Sequence, residues 1–499
     1  MAIQVQLRRG NKTDNDALTG AQGELTFDTS NNQIRVHDGS TAGGHLIGVG
    51  NFPTGTNNVV LGTGALDDLS GSSPGGNNVA IGSNALTANT TGSRNTAVGA
   101  DALKSVTTGS FSTAVGYQAL ENNTGNNNTA VGDQALEANT SGTNNSALGD
   151  DALLANTTGG NNVGIGASAL AASTTAGNNT AVGYQSLFSN TTASGNTSVG
   201  RLSMRANTTG SLNAGFGGYA LGLNTTGSNN VAVGDSAAYS NTTGGNNTAV
   251  GKSALENSTT ASSNVGVGYQ SLFTNTTGVN LTAIGTQTLL SNTTGSSNTA
   301  VGVIALHTNT TGAHNVAMGP AAMYFNTTGS NNVGIGEDAL KSNTTADYNT
   351  AVGYQSGLSN TTGTNNVSIG SFSLYTNTGN YNVASGYGSL RLNTTGSNNT
   401  GLGQDALRSN TTGSKNTAVG YNAGYSNTTA GELTAVGYQA LRSNTTGVNQ
   451  TAVGKNAMLA NTTGSSNVAM GLNALTSNTT GSTNTGLGVQ ALSANTTSS

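Results

Sequence analysis

The chain contains no cysteine and no tryptophan among its 499 residues, and only 7 % of its positions are charged. Without cysteine there are no disulfides and no thiolate metal sites, so stability must come from backbone pairing and from association between chains. That absence leaves the compartment open, because a secreted fibre can also lack cysteine. No segment approaches the roughly 20 consecutive apolar residues of a membrane-spanning helix, which predicts no membrane insertion. Met1 to Gly10 alternate apolar and polar residues and lack the continuous apolar stretch of a secretion signal. They read as a strand and predict synthesis in the host cytoplasm without export by the usual route. The formal net charge of −5 reads as thinly spread, which argues against a nucleic-acid partner held through its phosphates.

What is abundant is glycine. The 74 glycines and 34 % hydrophobic residues cannot supply a thick globular core. Disorder is excluded by phasing, since disordered chains carry high charge and irregular apolar residues. Here one glycine recurs from Gly62 to Gly488 in 26 units. Of the 25 intervals, 22 are seventeen residues, two are sixteen and one is twenty. A fixed period of this length marks stacked units, each too small to bury an apolar face alone. The fold class predicted is a mainly β, repetitive β-solenoid or β-roll of about 26 coils over residues 51–499, with a small β-rich module at 1–50. At the spacing of stacked strands, roughly 4.8 Å, such a stack would measure about 120 Å.

Within a unit the residue before the glycine is Val, Ile, Leu, Met or Phe in 25 of 26 cases, Ser385 departing. Two positions earlier usually stands Thr or Val, with a small residue between, a period-2 strand with one bulky and one small face. Four before the glycine stands Asn in 22 of 26 units, as at Asn95, Asn145, Asn230 and Asn416, with Ser112, Leu281, Leu433 and Gln450 departing. Stacked amides at one position predict an Asn ladder along the axis. Four after the glycine stands Leu or Met in 23 of 26 units. The stretch Tyr117-Gln118-Ala119-Leu120-Glu121-Asn122 is compatible with a second strand or a single helical turn. The Asn-Thr-Thr-Gly segments, as at Asn207 to Gly210, read as exposed corners. Length changes at Asn122 to Gly125, Asn377 to Gly379 and Ser72 to Pro74 fall there, and the sequon match of the triplets is first of all corner chemistry.

The first 50 residues differ, with Arg8, Arg9, Lys12 and Arg35 set against Asp14, Asp16, Glu24, Asp28 and Asp38. Glu24 to Asp28 and Gln33 to His37 are alternating runs joined by Thr29-Ser30-Asn31-Asn32, a hairpin signal. Leu7-Arg8-Arg9-Gly10, Leu18-Thr19-Gly20-Ala21, Gly23-Glu24-Leu25-Thr26 and Val36-His37-Asp38-Gly39-Ser40 occur in order. Together they resemble the N-terminal segment of phage tail-fibre proteins of the major-tropism-determinant type. The resemblance implies a β-rich module at the virion-proximal end of a homotrimer, with a virion tail or baseplate protein as partner. Arg8, Arg9, His37 and Asp38 are the candidate attachment residues. That family also carries a lectin-like receptor-binding domain, whereas this sequence stops at Ser499, so receptor recognition is not carried over and a separate tip protein or cap is expected.

The cadence Asn-Thr-Ala-Val-Gly, as at Asn95 to Gly99, is similar to the head repeats of trimeric autotransporter adhesins, which implies association in threes. An independent argument points the same way. About three apolar side chains per coil, worth at most roughly 1.5–3 kcal/mol each, oppose roughly 1–2 kcal/mol of backbone ordering per residue. A shared central seam would raise burial.

No catalytic pattern is present. His37, His45, His307 and His314 are scattered, and Asp67-Asp68 and Asp150-Asp151 read as solvated pairs, so no enzyme, cofactor or metal is expected. Tyr117, Tyr184, Tyr269, Tyr354, Tyr421 and Tyr438 share the position after the glycine and are candidate glycan-contact aromatics. Packing on the flank of the next coil is the plainer reading. The sequence thus predicts a non-enzymatic structural phage tail or collar fibre acting in attachment to a host surface glycan or protein. A bacterial trimeric surface adhesin is the first alternative and an ice-binding solenoid the second.

Overall fold

The computed structural model describes residues 8–29, 33–37, 39–40, 42, 45–46, 57–67 and 75–499. They fall in two compact units, Met1–Asn230 and Val231–Ser499. The first unit opens with a small sheet of order β1-β2-β3-β4, formed by Arg8–Gly10, Leu25–Asp28, Gln33–Val36 and His45–Leu46. The expected hairpin is β2 and β3, antiparallel with Leu25 opposite Val36 and Phe27 opposite Ile34. Its turn, and residues 1–7 of the expected N-terminal strand, lie outside the described residues. A five-residue helix, Lys12–Asp16, was not foreseen. Asn11 caps it, accepting the Asp14 N–H at 2.9 Å, which satisfies one donor the first turn leaves open.

The remainder of each unit is a parallel β-solenoid. Ten three-residue strands, β5 (Val59–Leu61) to β14 (Ala214–Phe216), belong to the first unit and sixteen, β15 (Val231–Val233) to β30 (Thr485–Leu487), to the second. Within each unit the strands pair in register with the strand one repeat later, as Thr248, Ala249 and Val250 pair with Val265, Gly266 and Val267. Thr113 pairs with Thr129 and Val59 with Val79, so units shorter or longer than seventeen residues keep the register by changing their corners.

The segment after each glycine is neither a strand nor a helical turn. It is a run of tight turns in which the second and fourth residues have positive φ, as at Gln118 (φ 55) and Leu120 (φ 54), and the residue five before the glycine does the same, as at Arg94 (φ 59). A leucine in that region costs roughly 1–2 kcal/mol. The compensation is that each such residue turns its N–H along the stack. Leu103 donates to the Ala119 carbonyl of the next coil at 3.1 Å and Gln118 to the Ala100 carbonyl of the previous one at 3.0 Å. Axial hydrogen bonds therefore run through the turns as well as the strands, and few backbone groups are orphaned.

The interior is narrow and belongs to one chain. Ala97, Ala102 and Leu103 are fully buried, as are Asn89 and Asn95, whereas Thr96 and Val98 on either side of Ala97 point outward and are half-buried. The small face of the strand is thus the inner one. The bulky face is the outer one, because a coil of seventeen residues closes around alanine, leucine and asparagine without room for three branched side chains. Each coil fills its own interior, so no shared seam is needed to complete it. Where serine replaces inner alanine, hydroxyls cluster: Ser198 bonds Ser186 at 2.8 Å and the Ser203 carbonyl at 2.9 Å, as buried polar groups require.

Two asparagine ladders run inside. In the expected one, Asn95 donates its backbone N–H to Asn78 Oδ1 at 2.8 Å and its Nδ2 to the Gly109 carbonyl at 2.8 Å. Asn145 and Asn416 repeat this at 2.9–3.0 Å, and the Asn230 N–H donates to Asn213 Oδ1 at 2.9 Å. The rungs join side chain to backbone, and at some coils amide also meets amide, as where Asn399 Nδ2 donates to Asn382 Oδ1 at 3.1 Å. Gln450 keeps the acceptor role toward Asn467, while Leu281 and Leu433 donate their backbone N–H to Asn264 and Asn416 Oδ1 at 3.0 Å but offer no side-chain acceptor to the next coil. The second ladder uses the corner asparagines, which are buried, not exposed. Asn309 Nδ2 donates to Asn292 Oδ1 at 2.8 Å and to the Gly312 carbonyl at 3.0 Å, and Asn326 continues it at 2.8 Å. Only the threonines beside them face out, Thr310 Oγ1 donating to the Thr327 carbonyl at 3.0 Å.

The anchoring glycine is obligatory. Gly285 has φ +134, and a Cβ there would lie 2.6 Å from the Gly302 carbonyl oxygen of the next coil. Gly285→Ala should destabilise the second unit by about 2–6 kcal/mol, combining backbone strain with overpacking. At the corner glycine Gly278 a Cβ would also lie 2.5 Å from a carbonyl oxygen of the next coil, that of Gly295, but its φ is not positive and Ala261, Ala346 and Ala430 occupy its column elsewhere, so the corner shifts to admit a methyl. Gly278→Ala should change stability by less than about 1 kcal/mol, and thermal melts of the two variants compare them directly. Asn309→Asp removes two donated bonds and leaves a buried charge, which predicts a loss of roughly 2–4 kcal/mol at neutral pH, recovered in part on acidification, as melts at two pH values would register.

Candidate functional site

Two surfaces qualify as sites, the N-terminal module and the outer columns of the solenoid. In the module, the short motifs converge on one buried histidine. His37 is 1 % exposed. Its Nδ1 accepts the Gly20 N–H at 3.2 Å and its Nε2 lies 3.1 Å from Thr26 Oγ1. A Cβ at Gly20 would lie 2.7 Å from the imidazole Cγ, so that glycine makes the space the ring fills. Glu24 accepts the Ala21 N–H at 2.9 Å and pairs with Arg8 at 3.2 Å. Arg35, 8 % exposed, pairs with Asp16 at 2.7 Å. Asn15, also buried, donates to the Gly10 carbonyl at 2.9 Å.

Of the four attachment candidates, His37 thus belongs to the module's core and offers no side chain to a partner. Arg8 and Arg9 are exposed on β1, at the edge of the sheet. Asp38 lies outside the described residues. The structure therefore brings His37 together with Gly20 and Thr26, and leaves Arg8 and Arg9 as the outward-facing cations.

On the solenoid, the six tyrosines after the glycine are 41–51 % exposed, and some of them also pack on an aromatic ring of the next coil. Tyr421 and Tyr438 stack at 5.3 Å, and Tyr354 meets Phe372 edge-on at 5.4 Å. Tyr387, 49 % exposed, directly follows Gly386 in the same column and was missed. Among the described residues no cluster of three or more histidine, cysteine, aspartate or glutamate side chains could hold a metal. His307 stacks on Tyr324 at 4.9 Å, and its burial lowers its pKa. No helix among the described residues is long and apolar enough to cross a membrane.

Charge is segregated rather than spread. Asp101, Glu121, Asp133, Glu137, Asp150 and Asp151 crowd consecutive coils of the first unit with Lys104 as the one cation between Asp101 and Asp151. Lys104 pairs with Asp101 at 3.2 Å and Glu121 at 3.3 Å. Glu137 has its pKa raised by desolvation and then by the charges of Glu121, Asp151 and Asp133. Asp151 is raised by desolvation, Asp150 and Asp133. A carboxyl whose folded pKa lies above its unfolded value opposes folding while ionised, and stability returns as pH falls through the folded value. Glu137→Gln and Asp151→Asn should therefore each raise the melting temperature of the first unit at neutral pH. The gain should vanish near about pH 3, where carboxyls are protonated in both states, and a pH series of thermal melts checks it.

Residues 5–41 match the family described as the major tropism determinant N-terminal domain. No curated protein matches the chain. The match covers the module whose motifs pack around His37, and beyond the last strand of its sheet, His45–Leu46, the described strands are those of the solenoid. A tropism-determinant N-terminal domain followed by a long repetitive parallel β-solenoid fits a phage tail-fibre protein, a component of the virion.

Proposed function

We propose that the protein is a non-enzymatic, homotrimeric tail fibre that attaches a phage to its host surface. Its N-terminal module docks on a tail or baseplate protein and its solenoid projects toward the host. The observation that carries this reading is the tropism-determinant match at residues 5–41 joined to a repetitive solenoid. Arg8 and Arg9 on the edge strand β1 supply charge for the tail partner, and an edge strand supplies unpaired backbone groups.

The strand face of each solenoid supports trimerisation. Its two outward columns, as Thr248 and Val250, Val265 and Val267, Thr282 and Ile284, carry no charged residue in any of the 26 strands. Many of its side chains are open, among them Leu148 at 49 %, Ile284 at 41 %, Met318 at 41 % and Met470 at 44 %. A face of this kind, uncharged throughout, with one column apolar except at Ser385 and the other mostly Thr or Val, marks an interaction surface. A partner must repeat at the same axial rise to match every coil, and another copy of this chain does so.

Sedimentation of the full chain should give a species of three times 49.1 kDa. Val250→Lys combined with Val301→Lys, both on the outer face, should yield folded monomers with an unchanged melting profile per coil. A wild-type monomer removes the trimer, and thermal hysteresis in that monomer would favour the ice-binding alternative. Antibody to the final repeats should label virions at a fibre, and label on bacterial envelopes alone would favour the adhesin.

A further inference from the structure

One outer column of the second unit carries a pattern that the sequence reading did not use. Five residues after successive anchoring glycines stand Tyr375, Arg391, Arg408, Tyr425 and Arg442. Arg391 sits over the Phe372 ring at 4.9 Å and the Tyr375 ring at 5.7 Å. Phe372 in turn meets Tyr354 at 5.4 Å and Tyr387 at 5.8 Å, both edge to face. Arg408 lies over Tyr425 at 5.5 Å and donates to its hydroxyl. Lys455 lies 5.8 Å over Tyr438, which stacks on Tyr421. Cations and rings therefore recur in three contacting groups spread over the seven coils from Gly353 to Gly454.

The run is open and basic. Tyr354, Tyr387, Tyr421 and Tyr438 are 41–49 % exposed, and Arg442 and Lys455 are exposed. Asp405 is the one carboxylate at these positions, 3.5 Å from Arg408; Glu432 is engaged elsewhere by Lys415 at 3.2 Å. Neither Arg391 nor Arg442 has an ion-pair partner among the described residues. In a chain of net charge −5, this local excess of cations stands opposite in sign to the whole.

We propose that this column of the second unit binds an acidic polysaccharide running along the stack, its sugar faces on the tyrosines and its carboxylates or sulfates on Arg391, Arg408 and Arg442. The proposal deepens the host-attachment reading and rests on it for its biological meaning. Sugar rings present apolar C–H faces that suit exposed aromatic rings, while planar guanidiniums held on rings retain N–H donors for oxyanions. With a rise of roughly 4.8 Å per coil, Arg408 and Arg442 lie about 5 and 14 Å along the axis from Arg391. A linear polyanion can meet them in sequence, and several weak contacts then add through effective concentration. Nucleic acid fits less well, since phosphate-driven binding draws on roughly 6–10 neutralised phosphates, more than these cations supply.

The test uses full-length protein on immobilised polygalacturonate, dextran sulfate, neutral dextran and single-stranded oligo(dT). Binding to polygalacturonate or dextran sulfate should exceed binding to neutral dextran and oligo(dT) by roughly tenfold and weaken with salt; the two acidic probes separate carboxylate from sulfate recognition. R391Q/R408Q/R442Q should lose roughly tenfold or more, and Tyr354→Ala with Tyr387→Ala a further loss on both acidic probes. R201Q/R205Q/K252Q, which removes equal charge outside the seven coils from Gly353 to Gly454, should bind as wild type, and unchanged circular dichroism and melts establish folding of every variant. Equal binding to neutral dextran, tighter binding to oligo(dT), or an equal loss in the control variant overturns the proposal. Host-cell adhesion separates the two readings. Polysaccharide binding without adhesion upholds the column and removes the attachment role, whereas adhesion unaffected by R391Q/R408Q/R442Q keeps attachment and overturns the column as its site.

Discussion

Every coil is held to the next by hydrogen bonds directed along the stack, and that single geometric demand organises the rest. In the strands the demand is met by ordinary parallel pairing. In the turns it is met by rotating residues such as Leu103 and Gln118 into positive φ so that their N–H groups also point to a neighbouring coil. The anchoring glycine is where the demand is most severe, because φ near +130 and a carbonyl of the next coil at van der Waals range leave no space for a Cβ. The two asparagine ladders extend the scheme inward, since their side-chain amides supply donors and acceptors where a thin core would otherwise leave carbonyls such as that of Gly109 unpaired.

This arrangement separates stability from surface chemistry. Ala97, Leu103, Asn89 and Asn95 fill a coil without help, so the outward positions are free to vary. The strand columns remain uncharged through both units, consistent with one constraint acting on all coils. The positions one, two and five residues after the glycine vary instead, acidic around Asp133 and Asp151, aromatic and basic around Phe372 and Arg391. A repeat of identical interiors can thus carry different surfaces along its length, as a quasi-one-dimensional protein allows.

Much of the fold was legible in the sequence, and the reasons are specific. The glycine period, the three-residue strand and the asparagine four positions before the glycine each repeat with little variation, and each reports a position with one sterically or chemically permitted residue type. The turn after the glycine was not legible, because Leu120 at φ 54 contradicts local propensity and is fixed by stacking alone. The inner and outer faces of the strand were also ambiguous, since alternation of small and bulky residues does not state which side is buried. The near-constancy of the corner asparagine, which from Asn89 onward gives way only at Val106, Ser173 and Ser258, was the missed signal. An exposed turn tolerates Asn, Asp, Ser or Gly in exchange, whereas Asn292, Asn309, Asn326 and Asn343 hold the column because each must donate and accept.

The functional surface was legible only where a whole segment repeats a known pattern. The module's motifs read as candidates for contact, yet His37 and Gly20 recur together for packing, one filling the space the other leaves. A shared motif in a small domain therefore records its core first, and the residues that meet a partner are sought on its edge, at Arg8 and Arg9. The same logic applies to the solenoid. Charge counted over the whole chain conceals its distribution, because net charge says nothing about which column a residue occupies. Once the period places Arg391 and Arg408 one above the other, two arginines seventeen residues apart become neighbours separated by a single strand spacing. In a stacked fold, proximity is set by the remainder after division by the repeat, and a surface is read down columns rather than along the chain.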